Sequence, residues 1–396
     1  MFRHIAVFTA LCCVLIPSVL MAQSASMRHD VIHQRNGERR RGIVTREERE
    51  WIYFRTFAAQ REEQRVRTAN VVRIVYYGMT QDGQWSSGRS MMSAGQYALA
   101  AARFADMAST GDHRWHKTYG YFNSGDAWEQ AGEYQQAAEM FGLLVSEFPD
   151  DRMYLDALYR QGINLARAQK FDEAEAVVAL INTYYEQNHR ERRALARAEA
   201  VRAAIFGEQG IMGRAREHEG RAGLQTSSPY SFENESPPYF HWNLYWAGLL
   251  RRQGEYGAAA LVYRRLLNEI RGDSGLMVQV SLGLGICLAN DNEREAALFE
   301  LLKLDALPYG GAEQRAKAHY WIGRLKWETA QQVLDDPSAG DNQAEFARLK
   351  AGLAREYLAA VAGNAAAGAF AERAASLIET LPPDPDKVTE EDEGGT

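Results

Sequence analysis

Residues 125–149 read GDAWEQAGEYQQAAEMFGLLVSEFP. Gly125 and Trp128 open an apolar face, Gly132 interrupts it, Tyr134, Ala137, Phe141 and Leu144 resume it, and Pro149 ends it. Apolar side chains three or four apart on both sides of a glycine predict two helices joined by a tight turn, because glycine readily takes the left-handed backbone that closes a helix. The small residue at 125 lets the paired helices approach closely, and Tyr134 with Ala137 lets the second helix dock.

The same offsets recur along the chain. Gly88, Met91, Gly95, Tyr97, Ala100, Phe104 and Met107 precede this unit, and Gly162, Leu165, Phe171, Ala174, Val178 and Ile181 follow it. Ala247, Leu250, Gly254, Tyr256, Ala259, Tyr263 and Leu266 repeat it further on. Gly285, Leu288, Ala297 and Leu301 repeat it without the central glycine and aromatic, and Ala203, Phe206, Gly210 and Ala215 match poorly. On these positions the chain resembles the tetratricopeptide repeat family. Equivalent first-helix positions stand 37 apart at 88, 125 and 162 and 38 apart at 247, 285 and 323, against about 34 in the standard unit. The three or four extra residues are about one helical turn, so longer helices or longer joins are expected.

The resemblance implies a mainly α fold, a tetratricopeptide-like α-solenoid of about six to seven helical hairpins. Its first lobe is expected over 81–222 and its second over 239–381, separated by the polar, proline-bearing stretch 223–238. The last unit starts at 316–327, breaks at 335–341 and resumes over 344–381, where it would cap the array. Residues 382–396, with four consecutive acids at 390–393, hold too little apolar surface to fold and are expected to be a disordered acidic tail.

Ahead of the repeats the pattern changes. A charged start, an apolar run over 5–21 and small residues over 22–26 read as a signal peptide over 1–25, and no later run reaches about 18 uncharged apolar residues. A periplasmic or secreted protein with no transmembrane segment in its mature chain follows as the expectation, and export makes nucleic acid a poor partner. Cys12 and Cys13 fall inside the apolar run, leaving Cys287 as the mature thiol, so no disulfide or cysteine-clustered zinc site is expected.

Residues 28–78 carry short β-rich runs at 31–33, 41–45, 51–55 and 71–76, with Asn36-Gly37 placed for a hairpin turn. The pattern resembles small SH3-like β-barrels. This segment holds twelve Arg against seven Asp and Glu in a chain of net charge −7. The excess suits an anionic envelope polymer or a membrane surface, although Arg and Glu alternate over 38–67 as on ordinary solvated surfaces.

No hydrolase elbow, phosphate-binding glycine loop, dinucleotide fingerprint or helical zinc-protease motif occurs, and neither an enzyme nor a cofactor is expected. The most ligand-like cluster, residues 112–116 with Asp112, His113 and His116, is flanked by Arg114 and Lys117, whose charge opposes a cation; an ordinary loop and helix start accounts for it. In the family, first helices line a groove that binds protein or peptide segments. Carrying the register over gives Tyr119, Phe122 and Asp126, then Tyr159, then His241 and Arg251, and finally Tyr320, Arg324 and Trp327 as groove candidates. The function these imply is an exported interaction scaffold or adaptor in envelope assembly. A second reading is a non-catalytic helical partner of a peptidoglycan-active enzyme, since the helical part of soluble lytic transglycosylases resembles such arrays.

Overall fold

The computed structural model describes residues 29–34, 36–56, 61–188, 192–223, 236–270, 274–306 and 311–382. The expected signal peptide, most of the 223–238 stretch and the tail beyond Pro382 lie outside these residues. Within them the chain is mainly helical, with a small antiparallel sheet at its front.

Five strands form that sheet: β1 (Asp30–Gln34), β2 (Arg39–Glu47), β3 (Trp51–Arg55), β4 (Gln64–Arg67) and β5 (Val71–Val75), in the order β4-β3-β2-β1-β5. Gly37, at φ +80°, supplies the left-handed residue between β1 and β2 that the Asn-Gly pair predicted. Alternation sorts the faces, since Ile32, Ile52, Phe54, Val66 and Ile74 point inward and are nearly inaccessible. The sheet must also curl. β4 and β5 are its opposite edges, about 19 Å apart in a flat sheet of this width, yet only the 3-10 turn Thr68–Asn70 joins them.

Fifteen α-helices follow among the described residues. They pair as α1 (Gly83–Ser93) with α2 (Tyr97–Thr110), α3 (Arg114–Ala131) with α4 (Tyr134–Glu147), α5 (Tyr154–Arg167) with α6 (Phe171–Gln187), and α7 (Arg192–Glu208) with α8 (Met212–Ala222). Then come α9 (Ser236–Arg252) with α10 (Tyr256–Glu269), α11 (Ser274–Asn290) with α12 (Arg294–Ala306), α13 (Ala312–Leu334) with α14 (Asp341–Ala362), and a closing α15 (Ala369–Ile378). The small-residue contact recurs from hairpin to hairpin. A Cβ on Gly88 would lie 2.6 Å from the Phe104 ring, on Gly125 2.8 Å from Phe141, on Gly285 2.7 Å from Leu301, and on Gly323 2.7 Å from Leu358. Each contact is far inside van der Waals distance, so these helices cross where only glycine fits.

The turn inside each of the first six hairpins is equally regular. Gly95, Gly132, Gly210 and Gly254 all have φ between 73° and 84°. Where the glycine is missing the backbone does not change: Gln169 (φ 61°) and Asn292 (φ 65°) occupy the same slot.

The chain divides into two compact units. One runs to Tyr239 apart from Met91–Gln96, and the other holds those six residues with everything from Phe240 onward. The sheet therefore shares a unit with the first helices. The Glu47 carboxylate, 5% exposed, accepts hydrogen bonds from Arg152 Nε (2.8 Å) and the Tyr76 hydroxyl, and Arg152 also donates to the Tyr119 hydroxyl. Tyr76 stacks on Trp115 at 5.8 Å, and the Arg49 guanidinium lies 4.4 Å from the Tyr154 ring centre while its Nε donates to the Pro149 carbonyl at 2.7 Å. Burial, and then the Glu47 carboxylate, push the Tyr76 hydroxyl well above its usual pKa, keeping it a donor.

Candidate partner-binding face

Helices α3, α5 and α7 are the first members of successive hairpins in the front unit, and a ladder of charges links them. Glu129 on α3, 7% exposed, accepts from Arg160 Nε (3.0 Å), Asn164 Nδ2 (2.8 Å) and Arg167 Nη1 (3.1 Å), all on α5. Arg160 Nη2 also donates to Asp126 at 2.6 Å, and Arg167 Nη2 to the Tyr134 hydroxyl at 2.7 Å. One repeat on, Arg197 on α7 donates through Nε to Asp156 on α5 at 3.0 Å. Burial opposes the charge on Arg160, but Glu129 and Asp126 hold its pKa above the usual arginine value.

The cluster of Asp126, Glu129, Arg160 and Arg167 is balanced in charge, so it does not present a bare cation or anion. Its members differ in exposure. The Arg160 and Glu129 side chains are 6% and 5% exposed, whereas those of Asp126, Asp156 and Arg167 are 32%, 34% and 16% exposed. The arrangement is a buried ionic spine with a polar, accessible fringe. Asn164 Oδ1, fully enclosed, meets no donor among the described residues.

The groove candidates separate into two kinds. Asp126 is part of the ladder, Phe122 packs edge-on to Phe141 at 5.4 Å, and Arg160 lies 5.9 Å from the Phe122 ring, so these two are brought together. Tyr119 belongs to the Glu47 and Arg152 hub, and burial pushes its hydroxyl up to about 12. His241, Arg251 and Arg324 are half-buried; Arg324 pairs with Glu328 at 2.6 Å and lies 4.8 Å from the Trp321 ring.

Tyr159, Tyr320 and Trp327 are interior, at 1%, 9% and 6% exposure. Tyr320 packs edge-on to Phe370 at 5.1 Å, and Trp327 shares its core with Ala347, Ala351 and Ala354. This corrects the expectation that they line a groove: a register offset of one residue turns a helix by about 100° and exchanges the open face for the core.

Of the ladder only Asp126 was among the candidates. The signal was there, because Arg160 and Arg197 stand 37 apart, the spacing of Gly125 and Gly162. The cluster at 112–116 has a local role: the His113 backbone N–H donates to His116 Nδ1 at 3.1 Å, and His116 Nε2 lies 3.4 Å from Asp82, so the imidazole caps the start of α3. Among the described residues no group of three or more His, Cys, Asp or Glu is placed to hold a metal ion. Cys287 is buried, and burial pushes its thiol up to about 12, far from thiolate chemistry at neutral pH. None of the described helices is long and apolar enough to cross a membrane.

No protein-family model matches the chain, and no curated protein matches it.

Proposed function

We propose that the protein is an exported scaffold of tetratricopeptide-like hairpins, fronted by an SH3-like barrel, that binds a polypeptide partner along the first helices of its front unit. The observation that carries this is the ladder running from Glu129 and Asp126 through Arg160 and Arg167 to Asp156 and Arg197. The first helices of three consecutive hairpins there carry carboxylates and guanidiniums in alternation, the accessible Asp126, Asp156 and Arg167 being held in fixed geometry by buried partners. Preorganised groups of both signs suit an extended peptide, whose backbone and side chains offer donors and acceptors in turn. Envelope assembly is the setting the expected signal peptide supplies.

Site-specific photo-crosslinking in the native host tests the reading. A crosslinker at Gln130 on α3 or Arg193 on α7 should trap the same discrete partner, and one at Leu143 on α4 or Leu180 on α6 should not. Crosslinks from the second-helix positions alone, or from none of the four, contradict it.

A further inference from the structure

The outward face of the β-sheet holds charges that the groove reading does not use. Cross-strand partners lie on one face, so the pairs His33 with Arg39, Val31 with Arg41, Ile43 with Arg55, Tyr53 with Arg46 and with Arg65, and Trp51 with Arg67 define it, and His33 with Arg73 extends it onto β5. The five strands contain eight arginines, and seven of them, Arg39, Arg41, Arg46, Arg55, Arg65, Arg67 and Arg73, stand on this face. Their only carboxylates, Asp30 and Glu47, point inward, where Asp30 accepts from the Val44 and Tyr77 backbone N–H groups and Glu47 from Arg152. Arg40, opposite Ile32 in the register, is the exception and pairs with Glu38 at 2.9 Å; the other strand arginines stand outside and both strand carboxylates inside.

Two of the seven meet a carboxylate on a flanking turn, Arg46 with Glu48 at 3.1 Å and Arg55 with Glu63 at 3.4 Å. Arg39, Arg41, Arg65, Arg67 and Arg73 are exposed and make no salt bridge to a described carboxylate. Among them sit half-buried aromatics: Arg65 lies 4.2 Å and Arg67 5.5 Å from the Trp51 ring, and Arg46 4.1 Å from Tyr53. His33 feels the field, since burial, and then Arg73 and Arg39, lower its pKa.

The geometry points to this face as a docking surface for an anionic phospholipid bilayer. The guanidiniums are spread in two dimensions, over β2, β3, β4 and β5, rather than along one line. A linear polyanion is best met by a groove or row that tracks its backbone, whereas a leaflet presents separate single charges across an area. Trp51 and Tyr53 supply the amphipathic rings that settle at headgroup level, and Val31, Ile43 and Val75 supply apolar surface between the charges. The inference stands apart from the groove reading, and neither needs the other.

Co-sedimentation of the full chain with vesicles tests it. Binding to phosphatidylcholine vesicles doped with phosphatidylglycerol should exceed binding to phosphatidylcholine alone, and should weaken as ionic strength rises from about 0.01 M to about 0.15 M. Arg41→Gln and Arg73→Gln should each weaken it about fivefold and together about thirtyfold, with the helical circular dichroism unchanged. Arg348→Gln on α14, which alters net charge equally, should leave binding as it was; because parent and variants share every other residue, any contribution from the apolar N-terminal run cancels. Equal binding to both vesicle types, variants that bind like the parent, or displacement of vesicle-bound protein by a soluble acidic polysaccharide at equal charge would overturn the assignment, the last result in favour of a polymer ligand.

Discussion

The two units use one helix-crossing rule and fill the resulting space with opposite chemistry. Gly162 in the front unit and Gly285 in the second hold the same register position, and a Cβ on either would collide with its neighbours at 2.8 Å and 2.7 Å. Two residues before them the front unit has Arg160 and the second has Gly283; two residues after them stand Asn164 and Cys287. Arg160 and Asn164 reach the buried Glu129, whereas the space at Gly283 is taken by the Tyr263 ring, whose hydroxyl would lie 2.8 Å from an added Cβ. The second unit continues in that manner, with Trp242 and Trp246 stacked at 5.8 Å and both essentially inaccessible. A repeat register thus dictates where helices cross but leaves the chemistry of the inner layer open.

The largest effects should come from breaking either inner layer. Glu129→Ala strands the Arg160 guanidinium without its main partner and should cost about 3–5 kcal/mol in a urea titration. Trp246→Ala in the second unit should cost a similar amount, about 3–5 kcal/mol, through lost burial and the cavity left behind. The two losses differ in how they can be repaired. Replacing Glu129→Leu together with Arg160→Met should recover most of the Glu129→Ala loss, because it removes the stranded guanidinium; what is not recovered belongs to the Asn164 amide and the Arg167 guanidinium, which lose Glu129 as acceptor but keep the Arg160 carbonyl and the Tyr134 hydroxyl. A Glu129→Ala cost under about 1 kcal/mol would mean that water reaches the ladder.

A smaller effect is expected at Trp242, whose buried indole N–H meets no acceptor among the described residues. Trp242→Phe gives up volume but also removes that orphan donor, so it should cost less than about 1.5 kcal/mol by thermal melting. Smallest of all are the turn substitutions. Gln169→Gly should stabilise the front unit by about 1 kcal/mol by relieving a left-handed glutamine. Asn292→Gly should gain only a few tenths, since asparagine tolerates that backbone better. Equal gains at both sites would show that the side chains, not the backbone, set those turns.

Those two turns also mark what the sequence could and could not say. Gly95, Gly132 and Gly254 announce their turns through composition, whereas Gln169 and Asn292 adopt the same conformation because the helices on either side already fix it. The strands were legible from alternation and from Asn36-Gly37, except Gln64–Arg67, whose single inward residue, Val66, is too little to show a period. The ladder was harder to see, because its pairs join residues 31 to 41 apart and charge carries no helical periodicity of its own. Tyr159, Tyr320 and Trp327 were misplaced for a related reason: an aromatic on a first helix suits core and groove equally, and only packing decides between them.

Buried ion pairs add little to stability over apolar packing, so the account requires the ladder to act in binding. The direct test is partner crosslinking from Gln130 in the Glu129→Leu and Arg160→Met double variant. The expected result is a cooperative melt above that of Glu129→Ala, with parent-like helix content and the crosslink lost. A folded double variant that crosslinks as strongly as the parent would contradict it.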